Sequence, residues 1–212
     1  MISKGNKKIV LALIATVVFA AVIGFSVAYF TERTNSLDNN VTVGKVDIKL
    51  TEPNWDPDKA KNIEPNKEIP KDPKLTNTGK NSSYVYIEVK IPKEEVVLVT
   101  SEETLANKQL TELFTYEVND GWEQIKRLEG AEYNTYLYAY TTAELRAGES
   151  TPSLFNSVKF ENVLEGELDT SKEYVIGIKG YAVQSDTIKV EGITTKDKMG
   201  YAFTNYLEGE DN

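Results

Sequence analysis

The sequence predicts a mainly β protein, an antiparallel jelly-roll-like β-sandwich that ends in an amphipathic helix. Two segments predict the strands: residues 41–51 (VTVGKVDIKLT) and 84–91 (YVYIEVKI) alternate apolar and polar side chains, which is the period of a half-buried strand. The helix is predicted by Met199, Phe203 and Tyr206, which recur at helical spacing near the C-terminus. Residues 29–212 are therefore interpreted as a single β-sandwich domain of about seven or eight strands.

The composition is that of a folded protein without the usual catalytic residues. Of 212 residues, 40% are hydrophobic and 27% charged, which is typical of a globular chain. The chain has no cysteine and no histidine, which excludes disulfides, thiol nucleophiles, the commonest general base and the commonest zinc ligand. The net charge of −9 would repel phosphate backbones, so no nucleic-acid binding is expected. We expect no enzyme activity, no cofactor and no metal site.

The N-terminal residues 1–28 are interpreted as a signal peptide. Lys4, Lys7 and Lys8 precede residues 9–30, which contain no charged side chain. A basic start followed by an apolar run is typical of export, and it places the rest of the chain outside the cytoplasm. The expected location is therefore secreted, in an extracellular matrix or at the cell surface.

Cleavage and anchoring compete in this segment. Ser26 and Ala28 place small side chains at the two positions that signal peptidases recognise, so cleavage after Ala28 leaves Tyr29 as the new N-terminus. The apolar run is also long enough to span a bilayer, so a retained membrane anchor is the alternative. Contact with the membrane is expected only through this segment.

The first half of the exported chain alternates strands with turn-rich sequence. After the strand in residues 41–51, residues 52–72 contain four of the seven prolines and are interpreted as loop. Residues 84–91 and 96–100 are β-rich and are predicted to form two strands, separated at Pro92.

The second half carries the remaining predicted strands. Residues 101–113 are interpreted as a short helix or helical loop. Residues 114–128 are predicted to form a hairpin around an Asp-Gly turn, because this dipeptide suits the positive φ of a tight turn. Residues 133–141 (YNTYLYAYT) and 172–183 (KEYVIGIKGYAV) are the most strongly predicted later strands.

The predicted C-terminal helix has Thr195 as its cap and Gly209 as its stop. We expect it to pack on the sandwich. A membrane-surface helix is the alternative, which the surrounding acidic residues disfavour.

Five segments carry a resemblance to a known family. AYFTERTNS followed by VTVGKVDIKL, and then PKLTNTGKNSSYVYIEV, LRAGESTPSLFNSVKF and GYAVQSD, resemble the exported proteins processed by a SipW-type signal peptidase, the TasA- and camelysin-like family. The shared features are an alanine-aromatic junction, a strand that contains Gly44, and an Asn and Gly turn that leads into a strand. Together these segments cover about half of the exported chain.

The resemblance implies a structural role. Members of the family fold as a jelly-roll sandwich and polymerise when the N-terminal strand of one subunit completes the sheet of the next. Residues 29–43 would be this donor strand, with Tyr29, Phe30, Leu37 and Val41 as the side chains that fill pockets. The expected protein is a subunit of a cell-surface or biofilm-matrix fibre, with self-association and a SipW-type signal peptidase as its partners.

Two other functions remain open at this point. The first is a monomeric surface module that binds polysaccharide or a partner protein, because Tyr136, Tyr138 and Tyr140 share one strand face and resemble an aromatic sugar platform. Packing in the core is the competing interpretation of the same tyrosines. The second is a camelysin-like metallopeptidase, which the absence of histidine disfavours. For Asp56 and Asp58, turn chemistry is favoured over calcium binding.

Overall fold

The structure is a computed structural model that describes residues 40–41, 46–61, 63–100 and 104–207. All of these belong to one compact unit, Leu37–Asn212. The strands, in chain order, are β1 (Asn40–Val41), β2 (Ile48–Thr51), β3 (Glu68–Pro70), β4 (Lys74–Asn77), β5 (Ser83–Val96), β6 (Gln109–Glu112), β7 (Phe114–Thr115), β8 (Trp122–Glu129), β9 (Tyr133–Tyr140), β10 (Ser157–Phe160) and β11 (Gly177–Gln184). A 3-10 turn (Ser185–Thr187) and one helix, α1 (Thr195–Tyr206), follow.

The strands form one large sheet and two small ones. The large sheet has the order β1-β11-β5-β9-β8, with β6 paired to the end of β5. The small sheets are β3-β10-β7 and β2-β4. All pairings between these strands are antiparallel except that of β1 with β11, which is parallel. The predictions of a mainly β fold with antiparallel sheets and a C-terminal helix are confirmed.

Strand β5 lies at the centre of the large sheet and is buried on both faces. Successive side chains of a strand point to opposite faces, so Val85 and Ile87 enter one core while Tyr84 and Tyr86 enter the other. The first core joins the large sheet to the two small sheets through residues such as Leu75 and Phe155. A strand that is buried on both faces has a nearly continuous run of apolar residues. In β5 the four consecutive residues from Tyr84 to Ile87 are all buried.

Helix α1 covers the other face of the large sheet. Its buried residues Met199, Ala202 and Phe203 pack in the second core. The Phe203 ring lies edge-on to Tyr86 with centroids 5.3 Å apart, and the Tyr86 hydroxyl donates to the Met199 carbonyl over 2.9 Å. The cap is Thr194, whose hydroxyl accepts from the Asp197 backbone N–H, so the predicted cap at Thr195 was wrong by one residue.

The predicted break at Pro92 does not occur, and the predicted strand 96–100 does not form: only its first residue, Val96, belongs to β5, while Leu98 and Val99 form isolated bridges. The sequence divides residues 84–91 from 96–100 at Pro92, whereas β5 continues through this proline to Val96. Pro92 is the last residue of β5 that pairs with β9, and from Lys93 onward β5 pairs with β6. A proline without an N–H is tolerated there because the strand changes partner at that residue.

Two local predictions were wrong because strand partners came from distant sequence. The predicted helix or helical loop at 101–113 contains strand β6, which gains backbone pairing with β5. The predicted hairpin at 114–128 does not form. Strand β7 pairs with β10 and β8 pairs with β9, although Gly121 does adopt the expected positive φ of 89°. Long antiparallel pairing with β9 outweighed the local turn signal.

The proline-rich loop of residues 52–72 contains β3 and is anchored by buried charge. The Lys71 ammonium lies 2.8 Å from a Glu52 carboxylate oxygen and 4.3 Å from the centre of the Trp55 ring. Asp72 accepts from the backbone and side-chain N–H groups of Asn54. Lys71 and Asp72 are both only 5% exposed, so the paired partners satisfy charges that would otherwise be costly to bury.

Gly180 allows the two-stranded sheet to approach the large sheet closely. A Cβ atom at this position would lie 2.7 Å from Leu75 Cδ2 and 3.4 Å from Ile48 Cδ1. Leu75 is fully buried and has little room to move. We expect Gly180→Ala to lower the free energy of unfolding by about 1–3 kcal/mol through overpacking, measured by chemical denaturation.

The control for this substitution is Gly200→Ala. It makes the same chemical change inside α1, where a Cβ atom would meet nothing within 4 Å. We expect this variant to be as stable as the parent or more stable by up to about 1 kcal/mol, because alanine favours helix. Equal stability of the two variants would contradict close packing at Gly180.

Candidate functional site

The two edges of the large sheet differ in their ability to accept another strand. At one edge, β8 has a register shift between Gln124 and Lys126 where it pairs with β9. The same strand carries the charged side chains Glu123, Lys126, Arg127 and Glu129. A bulge and charged side chains are the features with which natural sheets discourage strand addition.

The opposite edge is formed by β11, which has a regular backbone. All eight of its residues pair with β5 in one unbroken register, from Gly177 opposite Lys90 to Gln184 opposite Ser83. On its other side, β11 receives β1 in parallel, with Asn40 opposite Tyr181 and Val41 opposite Ala182. Within the part of the chain that the structure describes, residues 177–180 have no strand partner on that side. This edge is therefore the candidate assembly site.

The predicted donor segment is described only at its C-terminal end. Val41 lies in β1, and Asn40 precedes it in the same strand. The predicted donor residues Tyr29, Phe30 and Leu37 lie outside the described residues, as do the predicted cleavage residues Ser26 and Ala28. Of the predicted segment 29–43, the structure thus places two residues, both against the β11 edge.

The three predicted platform tyrosines face the first core rather than open solvent. Tyr138 is 5% exposed, and its hydroxyl lies 3.0 Å from the Tyr116 hydroxyl. Tyr140 is half-buried, with its ring centroid 5.5 Å from that of Trp122. Tyr136 is also half-buried and stacks near Tyr138, with centroids 6.4 Å apart. A ligand on this face would therefore meet Tyr136 and Tyr140, and Tyr138 only if it entered the core.

A polar cluster that the sequence did not indicate surrounds Tyr136. The Glu112 carboxylate accepts from the Tyr136 hydroxyl and from the Asn134 side-chain amide. The Arg127 guanidinium lies 5.5 Å from the centre of the Tyr136 ring. Glu112 and Tyr136 are far apart in sequence, so only the addition of β6 to the sheet brings them together.

Burial and the Glu112 carboxylate raise the pKa of Tyr136 from its ordinary value of 10.0 to about 12. An ionised Tyr136 would lose its hydrogen bond to Glu112 and face a second negative charge. Tyr116 and Tyr86 also have raised pKa values, mainly because they are buried.

This shift predicts a pH dependence. Because the folded-state pKa of Tyr136 is raised, its contribution to stability is complete below about pH 10 and is lost as the pH rises toward about 12. The difference in tyrosinate absorbance between a protein with Tyr136 and the same protein with Tyr136→Phe reports the ionisation of Tyr136. We expect this difference to develop at a higher pH than for free tyrosine, and at a lower pH in the Glu112→Gln background than in the parent. If Tyr136 ionises at the same pH in Glu112→Gln as in the parent, the Glu112 carboxylate does not affect the pKa of Tyr136.

The described residues offer no metal centre and no membrane span. Among residues 40–41, 46–61, 63–100 and 104–207, no three acidic side chains are grouped closely enough to hold a metal ion. No helix in that same part of the chain is long and apolar enough to cross a bilayer.

No family model, no curated protein and no solved structure matches this chain.

Proposed function

We propose that the chain is an exported structural protein, a subunit of a cell-surface or biofilm-matrix fibre that assembles by donor-strand addition. In this proposal a SipW-type signal peptidase removes residues 1–28, and the sheets form a jelly-roll-like sandwich. The observation that carries the proposal is the pairing of Asn40–Val41 with the β11 edge. It supports the proposal because these two residues belong to the predicted donor segment and their backbone pairs with that edge.

The unequal edges of the large sheet favour a linear assembly. Strand β11 has a regular backbone, and among the described residues only Asn40–Val41 pair with its outer side, whereas β8 is bulged and charged. One donor segment and one acceptor edge on each subunit make a head-to-tail contact. Such a contact produces an open filament when its rotation does not close into a ring.

The direct test uses the chain that begins at Tyr29. We expect it to sediment as large species at high concentration and to form filaments visible by electron microscopy. If it stays monomeric at every concentration and does not extend added filament seeds, the fibre proposal is wrong.

A second candidate function is a monomeric surface module that binds polysaccharide, and the Tyr136 cluster favours it. Tyr136 combines a half-buried aromatic ring with the carboxylate of Glu112 and the guanidinium of Arg127, and sugars are bound by such mixtures of rings and polar groups. The test is binding to wall and matrix glycans by the monomer. Tyr136→Ala is the informative variant, since truncating the buried Tyr138 would also disturb the core.

A further inference from the structure

We infer that Lys71 and Glu52 become joined by an isopeptide bond in the folded protein, between the lysine side-chain nitrogen and the glutamate side-chain carboxyl group. Glu52 directly follows β2, and Lys71 lies between β3 and β4. The bond would fasten the end of β2 to the start of β4 within one chain. The inference goes beyond the proposed function and does not depend on it, because no second copy of the chain takes part.

The structure holds the Lys71 nitrogen against the whole carboxyl group of Glu52. Its Nζ atom lies 2.8 Å from Oε1 and 3.0 Å from Oε2, so it is also close to the carbon that joins these oxygens. The contact with Oε2 is a hydrogen bond, whereas Oε1 is buried and has no hydrogen-bond partner among the described residues. Groups positioned to react hold their reacting atoms about 3–3.5 Å apart. The pair therefore meets the distance requirement for attack of the nitrogen on the carboxyl carbon.

Burial favours the neutral product over the ion pair. The Lys71 side chain is 6% exposed and that of Glu52 is 20% exposed. The Trp55 ring covers the ammonium, with its centre 4.3 Å from Nζ. Two charges in such a site carry a desolvation cost that their mutual attraction offsets only with complete hydrogen bonding. An amide removes both charges, and it removes one of the two carboxylate oxygens.

Hydrogen bonds beside the pair fix its geometry. The Asp72 carboxylate accepts from the Asn54 backbone N–H over 2.8 Å and from the Asn54 side-chain amide over 2.9 Å. These bonds hold the segment after Glu52 against the residue after Lys71. Groups that a fold orients in this way react with effective concentrations of about 10⁵–10⁸ M. The clamp between Asn54 and Asp72 thus supplies the orientation that a reaction between the two side chains needs.

The reaction is a condensation that needs no other reactant. A proton passes from the Lys71 ammonium to the Glu52 carboxylate, which leaves a neutral amine and a carboxylic acid. The amine nitrogen then forms a bond to the carboxyl carbon, and the bond from this carbon to its hydroxyl oxygen breaks. The hydroxyl leaves as water with one proton from the amine. Nothing is oxidised or reduced, and the products are one amide and one water molecule.

A second ion pair provides a matched control. Lys108 Nζ lies 2.8 Å from a Glu167 carboxylate oxygen, the same distance as in the first pair. The Lys108 side chain is 55% exposed, so water hydrates its charge. We expect Lys108 to remain a free amine. Burial, and not contact alone, then separates the lysine that reacts from the one that does not.

The test is peptide mapping of the full chain by mass spectrometry, after purification of the folded protein and tryptic digestion under denaturing conditions. We expect a branched peptide that contains Glu52 and Lys71 and is lighter by one water molecule than its two linear parts together. This peptide should replace the linear peptides. Lys71→Arg should yield only linear peptides, because the guanidinium stays protonated. Lys108→Arg should retain the branched peptide.

Each outcome decides the inference. Linear peptides alone from folded parent protein kept for several days would show that the bond does not form. A loss of water located elsewhere, such as a succinimide at Asp120–Gly121, would also overturn it, as would a branched peptide at Lys108. If Lys71→Arg does not fold, the map of the parent chain still decides. None of these results depends on filament formation, so the fibre proposal stands or falls separately.

Discussion

Deleting residues 29–40 from the chain that begins at Tyr29 is expected to abolish filament formation while the β domain stays folded. Among the described residues, the first that belongs to either core is Val46, so the deletion removes none of the described core residues. It removes Tyr29, Phe30 and Leu37, three of the four apolar side chains expected to fill pockets on the next subunit. It also removes Asn40, which pairs with Tyr181.

The donor-strand mechanism gives this deletion a large effect. Burial of apolar surface contributes roughly 25 cal/mol per Å², so several large side chains together contribute several kcal/mol to each contact between subunits. Ordering the segment has an opposing entropic cost, so the donor binds only to an edge that is already formed. Strand β11 is such an edge, because all of its residues are paired to β5.

Circular dichroism and sedimentation velocity test the two halves of this prediction. The truncated chain should keep the β spectrum of the parent and sediment as a monomer at concentrations where the parent forms filaments. The control replaces Tyr29, Phe30 and Leu37 with serine in the full segment, which keeps the backbone donor and removes its side chains. This variant should assemble more weakly than the parent. If the truncated chain polymerises normally, the donor-strand mechanism is wrong even for a fibre subunit.

The parts of the fold that follow from local periodicity could be predicted from the sequence. Residues 84–91 lie in a strand as predicted, although Tyr84 to Ile87 are buried on both faces and not on the one face that alternation indicates. The C-terminal helix carries its apolar stripe at the spacing of one face. The predicted hairpin at 114–128 was wrong because β7 and β8, on either side of its Asp-Gly turn, pair with β10 and β9 and not with each other. Local signals identify elements, whereas pairing depends on contacts distant in sequence.

Of the candidate assembly site, only the donor segment could be predicted from the sequence. The segment 29–43 was predicted as a donor strand from the family resemblance. The acceptor could not be found in the same way, since the sequence GIKGYAVQ does not indicate whether its strand lies at an edge or in the centre of a sheet. The same limit applies to Tyr138, whose hydroxyl is paired to Tyr116 by the packing of β9 against a distant segment.

Asn77 ties three parts of the β domain together and is fully buried. Its side-chain amide donates to the carbonyls of Asn81 and Leu145, each over 2.8 Å, and lies 3.2 Å from the Ser83 hydroxyl. Its side-chain oxygen accepts from the Gly79 backbone N–H over 2.9 Å. Since Asn77 ends β4 and Ser83 begins β5, these bonds join the two-stranded sheet to the large sheet. Every polar atom of the side chain has a partner, as burial requires.

We expect Asn77→Asp to lower the free energy of unfolding at neutral pH by about 3–5 kcal/mol, because it places a carboxylate against two carbonyl oxygens in a buried site. Burial and these acceptors should raise the pKa of the new aspartate above its unfolded value of about 3.9, since the protonated form can donate a hydrogen bond. A raised folded-state pKa stabilises the fold at low pH and loses that contribution as the pH rises. The deficit relative to the parent should therefore be smaller near pH 4 than at pH 7, measured by urea denaturation at both values. Asn66→Asp makes the same change at an exposed position and should alter stability by less than about 0.5 kcal/mol. An equal and pH-independent effect of the two substitutions would contradict the role assigned to Asn77.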